Sequence, residues 1–162
     1  SNSGFTLAQL NAKNGSLRRG ERVWICSATV SFELRHQQIG DLQKHLPCEA
    51  IVYGRLPLMI TENCVTKNTV GCSHGDGSVL TDRTGARFPV LCAYGCRSEI
   101  ENAKPLFLAD KPEYRTVGLT YARLRFTTET PAECVSILRR YQNGGDQTPD
   151  DFTRGLFYRG VE

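Results

Sequence analysis

Apolar and polar positions change their period several times along the chain. From Arg22 to Val30 (RVWICSATV) β-branched and aromatic residues dominate, the composition of a buried strand. Between Glu33 and Leu46, Ile39, Leu42 and Leu46 recur at i, i+3 and i+7, which predicts a helix with one apolar face, closed by Pro47. Glu49 to Ile60 (EAIVYGRLPLMI) returns to strand composition, with Gly54 and Pro57 breaking its second half. Strand, helix and strand in succession predict a βαβ unit with two parallel strands.

The rhythm is lost over residues 61–104. Glycines and cysteines replace the apolar periodicity, and the one clear signal is a hairpin: Ser78 to Asp82 and Ala86 to Leu91 flank Arg83-Thr84-Gly85, with glycine available for a left-handed position. This segment reads as a loop-rich insert that something other than apolar packing must hold. Beyond the short apolar stretch Pro105 to Ala109, Val117 to Thr127 alternates, with Ala122, Leu124 and Phe126 on one face and Tyr121, Arg123 and Arg125 on the other. Thr130-Pro131-Ala132-Glu133 is a capping box with proline at the first helical position. Cys134, Ile137, Leu138 and Tyr141 then mark a helical face that ends at Asn143-Gly144-Gly145. Residues 1 to 20 read as an irregular arm with Phe5, Leu7 and Leu10 as its apolar patch.

The whole predicts a single α/β domain over residues 1–162, an open sheet like part of a (β/α) barrel, with the cysteine-bearing hairpin insert at 61–104. Hydrophobic residues make up 40% and charged residues 23%, which excludes a globally disordered chain. A net charge of +3 is too small to argue for nucleic-acid binding by itself. No run approaches the roughly 18 apolar residues of a membrane span, so a soluble, intracellular protein is expected.

Seven cysteines in 162 residues change the picture, because an odd number in a chain of this size argues against a disulfide framework. Four of them are clustered as Cys64-x7-Cys72-x19-Cys92-x3-Cys96, beside loop residues such as Asn63, Gly71, Gly95 and Arg97. Thiolates are soft ligands, and four satisfy either tetrahedral zinc or an iron–sulfur cluster. The spacing leaves the two metals open. Cys134 on the last helix and His74 two residues past Cys72 are alternative ligands, whereas Cys26 and Cys48 read as small core residues. Arg55, Arg123, Arg125, Arg154 and Arg159 are candidates for binding an anionic substrate through their guanidinium forks, the bland alternative being a solvated sheet face. Glu33, Glu62 and His74 are conceivable acid or base groups, but no G-x-S-x-G or H-E-x-x-H motif assigns a catalytic residue.

Several runs resemble a known family. Val52 to Met59 (VYGRLPLM) followed by Cys64 is similar to a signature segment of the collagenase-like peptidases, peptidase family U-32. Ser31 to Leu34 with Gln38-Ile39, Leu80 to Arg83 with Phe88 to Val90, and Phe152 to Gly155 with Tyr158 to Val161 resemble further segments of that family, so the likeness covers most of residues 22–162. The resemblance implies a (β/α)-barrel origin, a bacterial or archaeal cytoplasmic protein and a peptidase label without an assigned mechanism. Some relatives are linked instead to iron–sulfur-dependent hydroxylation of RNA or small molecules. By motif, the resemblance carries ligation of a cluster to Cys64, Cys72, Cys92 and Cys96, with Cys134 replacing one of the close pair in some branches. It also implies that this span matches the later barrel strands only. The expected partners are therefore an N-terminal barrel region or a second copy in a homodimer, with a nucleic-acid or protein substrate left open. An inactive fragment with structural zinc is the third reading.

Overall fold

The computed structural model describes residues 27–65, 67, 71, 78–93, 97–144 and 148–159. The arm at 1–20, most of the predicted first strand with Cys26, and Cys72, His74 and Cys96 lie outside them. The described residues form a mixed α/β structure of eight strands and three helices, in two four-stranded sheets, and among them no barrel closes. The chain divides into two compact units, one of Ser1–Ala50, Glu113–Ala122 and Leu156–Glu162, the other of Ile51–Pro112 and Arg123–Gly155.

In the first unit the predicted βαβ stretch is present. Strand β1 (Ala28–Thr29) runs parallel to the start of β2 (Cys48–Gly54), with Ala28 opposite Cys48 and Thr29 opposite Glu49. Between them lies helix α1 (His36–Gln43). It starts three residues later than its apolar period suggests, because the side chain of Gln38 accepts the Arg35 N–H at 2.9 Å and fixes the entry there. Ile39 is its buried residue. The Gln43 side chain accepts the Cys48 N–H at 2.7 Å and donates to the Thr120 hydroxyl at 3.2 Å, so the helix end is tied to the strand that follows it. A short helix α2 (Glu113–Thr116) buries Tyr114, and His36 stacks against Phe157 with ring centroids 5.5 Å apart.

The second unit holds an antiparallel sheet in the order β3-β6-β5-β4, built from β3 (Pro57–Thr61), β4 (Val79–Thr81), β5 (Arg87–Ala93) and β6 (Arg97–Glu101). Within the segment read as a loop-rich insert, Val79–Thr81, Arg87–Ala93 and Arg97–Glu101 are strands. The β4–β5 hairpin is the predicted one: Asp82 N–H pairs with the Ala86 carbonyl at 3.0 Å, and Gly85 has φ +87°. Asp82 Oδ1 also accepts the Thr84 and Ala86 N–H groups, at 2.7 and 3.0 Å, which makes the turn self-supporting. Strand β6 (RSEIE) gives no apolar alternation because one of its inward residues, Glu101, is a wholly buried carboxylate.

The core of this unit gathers the end of β2, strand β7 (Leu106–Phe107), strand β8 (Tyr121–Arg125) and helix α3 (Pro131–Asn143). β7 pairs antiparallel to β2, with Tyr53 opposite Phe107. Phe107 and Leu108 are fully buried, which puts the short apolar stretch Pro105 to Ala109 at the centre of the unit. Tyr141 of α3 meets Phe107 edge-on at 5.7 Å, donates its hydroxyl proton to the Val52 carbonyl at 2.6 Å and accepts the Leu108 N–H at 2.8 Å. The α3 cap is as predicted: Glu133 accepts the Thr130 N–H at 2.7 Å, with Pro131 in the first turn. Its packed face is narrower than predicted, since Ile137 and Tyr141 pack on the core while Leu138 is 44% exposed.

Gly54 carries a steric requirement. Its φ is +119°, and a Cβ there would lie 1.9 Å from the Arg125 carbonyl oxygen. Gly85 has a similar φ of +87° with nothing within 4 Å of an added Cβ. Gly54→Ala is expected to destabilise by about 3 kcal/mol or more, from overpacking added to backbone strain, and Gly85→Ala by about 1 kcal/mol from strain alone. Urea denaturation of the two variants checks this, and equal losses would refute the steric account.

Candidate functional site

The candidate centre is built where β3, β6 and β5 lie side by side. Thr61 is opposite Ser98, and Ser98 is opposite Cys92, so one row of the sheet runs Thr61, Ser98, Cys92. Directly opposed residues in an antiparallel pair put their side chains on one face, with Cα atoms about 4.5–5.5 Å apart. After Thr61 the chain turns back over this row. The Thr61 hydroxyl donates to the Asn63 carbonyl at 2.5 Å, and Val65 N–H donates to Ser98 Oγ at 3.2 Å. Glu62 forms an ion pair with Arg97 at 3.0 Å on the outside of the same turn. The Cys64–Val65 peptide is therefore one hydrogen bond from Ser98, and Ser98 is one strand spacing from Cys92. Both cysteines are half-buried residues.

The other cysteines divide by position. Cys96 directly precedes Arg97, the first residue of β6, and together with Cys72 and His74 it lies outside the described residues. Among the described residues no group of three or more His, Cys, Asp or Glu side chains converges as a metal site, and that set does not contain Cys72 or Cys96. Cys134 is half-buried on α3, its sulfur 4.0 Å from the Glu129 carbonyl oxygen. Cys48 is a core residue at 1% exposure; its thiol donates to the Leu46 carbonyl at 3.1 Å, and burial pushes its pKa up.

Arg125 forks onto Glu101 at 2.6 and 2.8 Å, reaches Glu99 at 2.8 Å, and donates to the Arg55 carbonyl. The Glu101 hydrogen bonds hold its guanidinium more firmly protonated, whereas burial, and then the Glu101 charge, pushes the Glu99 carboxyl up. Arg154 forks onto Asp110 at 2.5 and 2.7 Å, donates to the Phe107 carbonyl at 2.6 Å and lies over the Phe152 ring at 4.4 Å. These two guanidinium groups are paired with the chain's own carboxylates. Arg123 and Arg159 are exposed. Arg55 donates to the Asn102 carbonyl at 2.9 Å and to that of Ala103.

Of the acid and base candidates, Glu33 is exposed and Glu62 is paired with Arg97. Three groups were missed. Ser98 looks like any serine in sequence, Glu101 like a surface carboxylate, and Glu129 like a linker residue. Glu129 in fact accepts the Tyr53 hydroxyl at 3.1 Å and the Thr127 N–H at 2.6 Å, while burial, with the Glu129 charge second, drives the Tyr53 pKa far up. Comparison with protein-family models, with curated proteins and with solved structures yields no match for this chain.

The Asp110–Arg154 pair yields a pH dependence. The Arg154 hydrogen bonds hold the Asp110 carboxyl below its ordinary 3.8. A depressed folded pKa gives stability that is present above the unfolded value and is lost as pH falls through the folded one. Asp110→Asn is expected to cost about 2 kcal/mol at pH 7. The difference from the parent should close as pH is lowered below about 3.8. Denaturant titrations in a pH series read both numbers, and a difference independent of pH would rule out the ion pair as its source.

Proposed function

We propose that this chain carries a thiolate metal centre, an iron–sulfur cluster or zinc, held by Cys64, Cys72, Cys92 and Cys96, in a protein of the collagenase-like U-32 peptidase type. The observation that supports it is the Ser98 tie, which draws the Cys64 turn to the strand row of Cys92. Half-buried cysteines brought near one another by a polar tether suit ligands better than core packing. Such a centre also supplies what the sequence lacks over residues 61–104, a covalent clamp for the chain between β3 and β4. The same reading makes the β1–α1–β2 stretch a piece of a (β/α) barrel, and Cys134 the substitute fourth ligand.

When bound, the group would supply cross-linking and, as a cluster, one-electron transfer. The chain's own part is to hold the soft donors: Ser98 fixes the Cys64 turn, and the Glu62–Arg97 pair closes its outer side. Four thiolates leave no open position for water, which favours a structural or electron-transferring role, as in iron–sulfur-dependent modification enzymes, over metal-assisted peptide hydrolysis.

Anaerobically purified protein is expected to contain one zinc ion or one cluster per chain, the cluster being visible by its charge-transfer absorption. Cys64→Ser and Cys92→Ser should lose it, and Cys134→Ser should retain it. Metal analysis that finds Cys92→Ser fully loaded would sink the proposal. Loss in Cys134→Ser with retention in Cys96→Ser would move the fourth ligand to the helix.

The loaded chain is also expected not to cleave gelatin. Cleavage that disappears in Cys64→Ala would overturn the closed-site argument, whereas cleavage that survives it would come from another protease.

A further inference from the structure

A cleft of about 800 Å³ opens in the second unit beside the β4–β5 hairpin. Arg55, Arg87 and Lys104 line it against one carboxylate, Asp151, which pairs with Lys104 at 2.7 Å. Three cations against one acid leave a formal surplus of two positive charges. The Arg55 fork is set in place by its bonds to the Asn102 and Ala103 carbonyls. Two polar atoms of lining residues, Arg55 Nε and Thr127 Oγ1, are buried without a hydrogen-bond partner among the described residues. A buried polar atom left unpaired is unfavourable, so Arg55 and Thr127 each carry an uncompensated polar atom behind the surface that they give to the cleft. Val79, Pro89 and Leu91 form an apolar wall of the same cleft.

We propose that this cleft binds a small phosphate monoester with an apolar or planar body. A dianionic head matches the surplus of two charges, which a single carboxylate would only half neutralise. A planar guanidinium fork with a lysine point charge is a recurrent phosphate-binding combination. Thr128, an exposed residue of the lining, adds a hydroxyl donor suited to a tetrahedral oxyanion. The body lies along the apolar wall, and the volume is that of an ordinary small-molecule site. No cysteine lines the cleft, so the inference does not rest on the thiolate centre.

The test is a titration of the ¹⁵N-labelled full chain with phenyl phosphate, inorganic phosphate and benzoate, followed by NMR. Phenyl phosphate should shift the amides of Ala86, Ala103, Lys104, Thr127 and Thr128 saturably. Benzoate and inorganic phosphate should bind about tenfold more weakly, the first for want of charge and the second for want of a body. Arg87 and Lys104 are exposed, so the Arg87→Gln/Lys104→Gln double variant should keep its melting temperature and lose about tenfold in affinity. Undiminished binding by that variant, or shifts centred elsewhere, would overturn the site. Benzoate binding as tightly as phenyl phosphate would overturn the phosphate assignment, and equal binding of inorganic phosphate would overturn the apolar body.

Discussion

A buried carboxylate needs a counter-charge, and in the second unit that need fixes most of the architecture. Glu101 is fully buried on β6, and Arg125 on β8 answers it with a two-pronged bond while also reaching Glu99 and the Arg55 carbonyl. One guanidinium thereby joins a strand that pairs with β2 to the antiparallel sheet of β3, β4, β5 and β6. Replacing such a pair by apolar groups is often neutral, but removing one partner strands a buried charge and costs about 3–5 kcal/mol. The pair is thus a specificity device: it makes one docking of strand against sheet acceptable and penalises the rest. Gly54 follows from it, because the Arg125 backbone that delivers the fork passes too close for any side chain at that position.

A second anchoring works through hydroxyls and aromatic rings. Tyr141 closes α3 onto β2 and β7 with both of its hydrogen-bonding capacities used, and Phe107 sits between the rings of Tyr141 and Phe152. Arg154 then clips the tail to Asp110, where Thr153 exchanges backbone hydrogen bonds with Phe107 and Pro105. Polar contacts fix orientation here, and the apolar rings supply the burial.

What could be read from sequence was what local rules govern. The Thr130–Glu133 capping box, the Gly85 turn and the period of Ile39 each depend on residues a few positions apart, and each is present. Strand β6 was hidden because its inward Glu101 makes sense only once Arg125, 24 positions later, is beside it. In Pro105 to Ala109 five residues are too few to show a period, so only the packing reveals them as the core. At the candidate centre the cysteine cluster was plain in sequence, but the tether was not. Nothing about Ser98 announces that it holds the Cys64 turn, since that role arises from the pairing register of three strands.

The run from Val52 to Met59 is the most distinctive in the chain, yet its two halves meet opposite environments. Val52 and Tyr53 are core residues, whereas Leu58 and Met59, with Ile60 after them, stand more than half exposed on β3, an edge of its sheet among the described strands. Any scheme that grades positions by burial ranks these three as freely replaceable, and mutational tolerance inferred from this unit alone would agree. An edge strand that keeps large apolar side chains in water gives up the charges by which sheets normally discourage unwanted pairing and keeps a single proline, Pro57, at its start. The packing of this unit therefore accounts for less than half of the surface of those residues.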